Sequence, residues 1–125
     1  MNLSKRRILY AEDDPDTREL VSFLLTRSDC EVVATDSMDQ ALTSARSEHF
    51  DLYLLDNWLN GSSGIELCRE LRSFDSQTPI LFYSGAAYEA DRQSALSCGA
   101  QSYLTKPIEN DRLVGEVFRL IEGVQ

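Results

Sequence analysis

Short, unbroken apolar runs alternate along the chain with longer stretches in which apolar residues recur every three or four positions. The runs are Arg7-Ile8-Leu9-Tyr10-Ala11, Glu31-Val32-Val33-Ala34, Leu52-Tyr53-Leu54-Leu55, Ile80-Leu81-Phe82-Tyr83 and Ser102-Tyr103-Leu104. Their brevity and continuity predict strands covered on both faces, as in a parallel sheet. The stretches between them predict helices. The first is headed by Asp14-Pro15, a capping residue followed by proline at the first helical position, and carries Leu20, Val21, Leu24 and Leu25. The second, from about Met38 to Ser47, sets Ala41, Leu42 and Ala45 on one side. A third opens after Gly64 with Ile65, Leu67, Cys68 and Leu71. The fourth, from about Tyr88 to Ser97, is the weakest, with only Ala90, Ala95 and Leu96 to bury. The last runs from Asn110 with Leu113, Val114, Val117, Leu120 and Ile121.

Five strands alternating with five helices is the pattern of an α/β domain with helices on both faces of the sheet. Right-handed crossovers leave few topologies, and at this size the flavodoxin-like, doubly wound parallel sheet of order 2-1-3-4-5 is the natural choice. The length of 125 residues, without internal repeat, low-complexity tract or linker, is read as one domain over 1–125.

Charge narrows the partners. Twelve Lys plus Arg against 21 Asp plus Glu give a net charge of -9, which argues against the domain gripping nucleic acid or a membrane surface by itself. Lys5-Arg6-Arg7 is too short a basic patch for nucleic acid and is expected to flank the first strand. No apolar run approaches the roughly 20 residues of a membrane span, and Met1–Arg7 has no apolar signal core behind it. Cys30, Cys68 and Cys98 are odd in number and widely spaced. They read as reduced packing residues, and the protein as cytoplasmic.

Doubly wound sheets put their sites outside the carboxyl ends of the strands, where the strand order reverses. Glu12-Asp13-Asp14 follow the first strand, Asp56-Asn57-Trp58 the third, Ser84-Gly85-Ala86 the fourth and Lys106-Pro107 the fifth. The first and third strands are neighbours in the predicted order, so their acidic groups meet. Crowded carboxylates repel, which raises some of their pKa values. A divalent cation removes that conflict, and a few hard oxygen ligands suit Mg²⁺. Asp14, before Pro15, is expected to cap the helix instead.

The run Ile8-Leu9-Tyr10-Ala11-Glu12-Asp13-Asp14, the strand end Leu54-Leu55-Asp56, the Ser84-Gly85 pair and the tail Gly99-Ala100…Tyr103-Leu104-Thr105-Lys106-Pro107 together resemble a response-regulator receiver domain of the CheY-like type, from two-component phosphorelay signalling. The likeness covers essentially the whole chain. It implies that Asp56 accepts a phosphoryl group from a phosphohistidine on a histidine kinase or histidine phosphotransfer protein. It further implies that Mg²⁺ is held by Asp13 directly, by Glu12 through water, by Asp56 and by the backbone carbonyl of Trp58. Ser84 matches the switch hydroxyl, Lys106 the lysine that pairs with the phosphoryl group, and Tyr103 the aromatic that turns inward on activation. On this reading the chain phosphorylates and dephosphorylates only itself and is not an enzyme toward other substrates. Its output would be an effector protein docked on the face made by the fourth helix, fifth strand and fifth helix, with a homodimer possible and no direct DNA contact.

General chemistry suits these roles. Phosphoryl transfer needs an in-line nucleophile and cations for the equatorial oxygens, and a carboxylate can serve as that nucleophile. Lys106-Pro107 is a candidate cis peptide, because the cis penalty before proline is only about 0.5–1 kcal/mol. Such a bond would aim the lysine back over the site.

The stretch Asn57-Trp58-Leu59-Asn60-Gly61-Ser62-Ser63-Gly64 departs from the family. Asn60 stands where relatives usually carry proline, and the glycines and serines predict a looser loop. Gly64 matches the helix-opening glycine. Trp58 is expected either to shield the acyl phosphate, with small Ala86 leaving the opposite flank open, or to stack on its own loop. His49, the one histidine, reads as solvated. Three competing functions remain: a receiver-like adaptor that works without phosphorylation, a Mg²⁺-dependent aspartyl phosphatase, and a nucleotide or flavin binder. The phosphatase would need a second aspartate where Trp58 stands. The binder would need a glycine-rich loop where Glu12-Asp13-Asp14 stand.

Overall fold

A computed structural model describes residues 5–123. Met1–Ser4, part of the segment read for a signal core, lie outside the described residues. The elements in chain order are β1 (Arg6–Ala11), α1 (Pro15–Arg27), β2 (Cys30–Thr35), α2 (Met38–Ser47), β3 (Leu52–Leu55), a small hairpin of β4 (Trp58–Leu59) and β5 (Ser62–Ser63), α3 (Gly64–Arg72), β6 (Ile80–Ser84), α4 (Glu89–Ser97), β7 (Ser102–Thr105) and α5 (Asn110–Glu122). The main sheet has five parallel strands in the order β2-β1-β3-β6-β7. Counting main-sheet strands alone, this is the predicted 2-1-3-4-5.

The apolar runs become the covered strands. β3 and β6 are buried at every position. Leu9, Leu55 and Phe82 turn to a core built with α2, α3 and α4, whereas Ile8, Leu54 and Leu81 turn to a second core with α1 and α5. The period-two alternation of a strand divides each run between the two layers.

Helix starts follow the sequence signals closely. The Asp14 carboxylate accepts the Thr17 N–H at 2.9 Å, with Pro15 at the first turn. Ser37 caps α2 and Ser63 caps α3 in the same way, receiving Gln40 N–H and Glu66 N–H. Two helical faces differ from expectation. In α1, Val21 and Leu25 are buried but Leu20 is 55% exposed, because the sheet receives one i,i+4 row and Leu20 lies on the next. In α4, Ala95 is buried and Leu96 half-buried, while Ala90 faces solvent.

The loop after β3 is ordered, not loose. Asn60-Gly61 turns the chain so that Trp58 pairs Ser63 and Leu59 pairs Ser62 in an antiparallel hairpin. Gly61 supplies the left-handed residue, with φ +74°. Asn-Gly between two short strands is a strong hairpin signal. It was masked by the neighbouring serines. Arg7 also differs from a free basic flank: its guanidinium pairs with Glu31 at 2.9 Å and Glu48 at 2.7 Å. Among the described residues no helix is long and apolar enough to cross a membrane.

Candidate functional site

The carboxyl ends of β1, β3, β6 and β7 lie side by side, and each apolar run gives way there to a polar residue. Register sets them: Ala11 is beside Leu55, Leu55 beside Phe82, and Ser84 beside Thr105. Backbone bonds extend that register one step, as Asp56 N–H donates to the Ala11 carbonyl at 3.0 Å and Lys106 N–H to the Ser84 carbonyl at 2.8 Å. Glu12, Asp56, Ser84 and Lys106 are thus fixed by the sheet itself. The Lys106-Pro107 bond is cis, as the sequence predicts.

Carboxylate oxygens of Glu12, Asp13 and Asp56 all lie within 4.8 Å of one another. Glu12 is fully buried and Asp56 nearly so, while Asp13 is half-buried. The Lys106 ammonium reaches both buried acids, donating to Glu12 Oε1 at 2.6 Å and Asp56 Oδ2 at 3.0 Å. Arg18 is turned to the Glu12 backbone carbonyl, at 2.8 Å. Three hard carboxyl oxygens in reach of one point form a donor set that fits Mg²⁺.

The two buried acids divide their proton unequally. Burial, then the neighbouring Asp56 carboxyl, pushes Glu12 up to about 7, against the pull of Lys106. Burial also pushes Asp56 upward, but hydrogen bonds from Glu12, Ser84 and Lys106 outweigh it and hold the carboxyl below its ordinary range. Asp56 is therefore the anion of the pair. Burial lowers Lys106, yet its bonds to Glu12 and Asp56 leave it above its ordinary value, firmly charged.

Surrounding donors orient the acids. Tyr10 O–H donates to Glu12 Oε1 at 3.3 Å, Asp14 N–H to Glu12 Oε2 at 3.2 Å, and Trp58 N–H to Asp56 Oδ1 at 3.3 Å. Gly64 lets α3 start against the site: a Cβ there would stand 2.2 Å from the Asp56 carbonyl oxygen. The sequence signalled this glycine but not its reason, which is close backbone approach.

Ser84 is fully buried, and its hydroxyl accepts the Ala86 N–H at 3.2 Å. Tyr103 is half-buried, stacks on Phe82 with ring centroids 5.7 Å apart, and donates its hydroxyl to the Ala86 carbonyl at 2.6 Å. Trp58 is 58% exposed and its ring reaches toward Gly85, where a Cβ would meet Trp58 Cζ3 at 3.8 Å. Ala86 is buried. His49 lies far out in solvent, 3.5 Å from Asp51.

The direct Lys106–Glu12 bond was not read from sequence, since 94 positions separate the two. Adjacency of β1 with β3, and of β6 with β7, gave the only hint.

A family model described as the response regulator receiver domain matches residues 8–118. The chain is 34% identical over 121 residues to the phosphate regulon transcriptional regulatory protein PhoB of Escherichia coli, covering 95% of this chain and 53% of that protein. It is 35% identical over 117 residues to the DNA-binding response regulator MtrA of Mycolicibacterium smegmatis, covering 94% and 51%. The chain thus spans about half the length of the curated relatives it matches. Among solved structures, the response regulator TrrA of Thermotoga maritima in complex with Mg²⁺-BeF superposes with a TM-score of 0.83 at 30% identity, covering 92% of this chain and 98% of that one. A CheY-like receiver domain protein from Methanospirillum hungatei reaches 0.91 at 23% identity, covering 96% of each, and speaks for the fold alone.

Proposed function

The chain belongs to the response regulator receiver domain family, the receiver module of two-component signalling, and we propose that Asp56 is its phosphoacceptor. One arrangement carries the proposal: an anionic, nearly buried Asp56 with the Lys106 ammonium at 3.0 Å and the carboxylates of Glu12 and Asp13 within 4.8 Å. Nothing in the reading depends on an unusual residue. It depends on charge brought together by the sheet.

An Asp56 carboxylate oxygen attacks the phosphorus of a phosphohistidine. The P–N bond breaks, the new P–O bond gives an aspartyl phosphate, and the freed imidazole takes up a proton. Lys106, above its ordinary pKa, stays charged and offsets the phosphoryl oxygens. The Ser84 hydroxyl, which accepts the Ala86 N–H and gives its proton toward Asp56, can turn that proton to a phosphoryl oxygen. Asp13, Asp56, the Trp58 carbonyl and, through water, Glu12 would hold Mg²⁺, which when bound neutralises carboxylate and phosphoryl charge together. Trp58 flanks the acceptor and limits the approach of water.

Receiver domains partner with histidine kinases, and such a kinase or a histidine phosphotransfer protein is the expected donor here. The output surface is α4, β7 and α5: Tyr103 on β7 ties to Ala86 ahead of α4, a helix with only Ala95 fully buried. Phosphorylation then biases a two-state contact between Ser84, Tyr103 and this face, which meets an effector protein.

Acetyl phosphate with Mg²⁺ tests the acceptor without the kinase. Intact mass should rise by one phosphate in the wild type, and Asp56→Asn should show no gain. A phosphate that persists on Asp56→Asn would place the acceptor elsewhere, and no gain in the wild type would favour the adaptor reading.

A further inference from the structure

Cys68 on α3 and Cys98, the cap of α4, stand 30 positions apart in sequence, yet the fold puts them in contact. The Cys68 thiol is fully buried and donates to the Cys98 carbonyl at 3.4 Å, which sets the two cysteines side by side. Cys98 is half-buried and donates to the Ala95 carbonyl at 3.2 Å. It lines a cleft of about 280 Å³ with Arg69, Gln93, Ser94 and Ser97. Cys98 is the cysteine on this cleft, whereas Cys68 is fully buried.

We propose that Cys98 and Cys68 form a redox site, in which Cys98 attacks a hydroperoxide and Cys68 closes the product to an intramolecular disulfide. This reading is independent of the phosphoacceptor proposal. Arg69 lines the cleft, and Arg72 clamps the adjoining turn, its guanidinium donating to the Gly99 carbonyl at 3.1 and 2.9 Å. The adjoining Cys68 thiol, helped by these two arginines, outweighs burial and pulls the Cys98 thiol down to about 7. The neighbouring Cys98, with burial, pushes Cys68 up, so it remains the protonated partner. A thiolate that is accessible and beside a second thiol is the arrangement of an oxidation-sensitive cysteine. Cys30, buried and pushed up by desolvation, is the internal control.

The chemistry closes. The Cys98 thiolate attacks one peroxide oxygen, the O–O bond breaks, and the departing oxygen leaves as hydroxide or alkoxide and takes a proton. Cys98 is then a sulfenic acid. The Cys68 sulfur attacks it, and the thiol proton leaves with the sulfenic hydroxyl as water. Two thiols lose two hydrogens, and the hydroperoxide is reduced to water plus water or alcohol. The resulting bridge pins α3 to the carboxyl end of α4, the most weakly buried helix of the proposed output face. In a reducing compartment such a bond is made and reversed rather than permanent.

Hydrogen peroxide added to the reduced chain, followed by denaturing alkylation and intact mass, tests the site. The expected result is loss of two hydrogens, one remaining alkylatable thiol at Cys30, a linked Cys68–Cys98 peptide, and reversal by dithiothreitol. Cys98→Ser should lose no hydrogens, and Cys68→Ala should hold a sulfenic acid at Cys98 that dimedone labels. On the unoxidised wild type, iodoacetamide at neutral pH should label Cys98 several-fold faster than Cys30. Three alkylatable thiols after peroxide, a bridge through Cys30, or only intermolecular bridges would overturn the proposal. Equal labelling rates of Cys98 and Cys30 would do the same.

Discussion

Asp56 and Asp75 stand at opposite ends of the central strands, one just past the carboxyl end of β3 and the other ahead of the amino end of β6. Asp75 is closed by neutral donors: Gln77 N–H and Thr78 N–H at 3.0 Å, and the Thr78 and Tyr53 hydroxyls at 2.7 Å. Burial pushes Asp75 up, but these four bonds hold it well below the ordinary carboxylate range. Asp56 has one backbone donor, the Ser84 hydroxyl, the Lys106 ammonium and two neighbouring acids. The same side chain is therefore a finished fastening at one rim and part of an unresolved charge conflict at the other. Satisfied acids hold loops, whereas acids crowded against each other are ready for a cation. Position in the sheet decides which.

The largest expected effect lies in the backbone of the site rim. Gly64→Ala drives a Cβ to 2.2 Å from the Asp56 carbonyl and should cost about 3 kcal/mol, the upper end for overpacking. The urea midpoint reads it, and a variant as stable as wild type would show that α3 can slide off β3. At the opposite rim, Asp75→Ala strips the Tyr53 and Thr78 hydroxyls of their acceptor and should cost about 2 kcal/mol at pH 7. Because the folded-state pKa of Asp75 is depressed, its contribution is present above its ordinary value of 3.8 and lost as pH falls toward the lower folded value. Wild type and Asp75→Ala should therefore converge in strong acid. Parallel curves down to the lowest pH would remove Asp75 from that role.

A smaller effect of opposite sign tests the conflict itself. Glu12, raised from 4.5 to about 7, is stabilising while protonated, and that contribution is lost as pH rises through about 7. Without divalent cation at pH 8, Glu12→Gln should then be more stable than wild type by about 1 kcal/mol, the scale of removing an unfavourable buried charge. At pH 4 the gain should vanish. A destabilised Glu12→Gln at pH 8 would mean that the Lys106 bond already resolves the crowding, and the contrast between the rims would fail.

Much of this was legible in the chain. Continuous apolar runs identified every main-sheet strand, Asp14-Pro15 marked the start of α1, and strand order followed from connection rules. The same rules carried Glu12, Asp13, Asp56, Ser84 and Lys106 to one rim, because a residue just after a strand inherits the position of that strand. What escaped was set by local chemistry too short for periodicity, or by contacts too distant for it. Asn60-Gly61 makes a hairpin whose strands are two residues each, below the length at which alternation can be read. Asp75 gained its role from Tyr53, 22 positions away, and Cys68 met Cys98 only through the packing of α3 on α4. Leu20 looked like core and is exposed because periodicity gives a stripe without its width.

Magnesium titration followed by Trp58 fluorescence tests the central claim most directly, since Trp58 N–H is bonded to Asp56 Oδ1 at 3.3 Å and the chain has one tryptophan. Wild type should show a saturable, single-site change that Asp13→Ala abolishes and Asp75→Ala leaves intact. A response that survives Asp13→Ala would contradict the account, because the cation would then be bound away from the acids that β1 and β3 bring together.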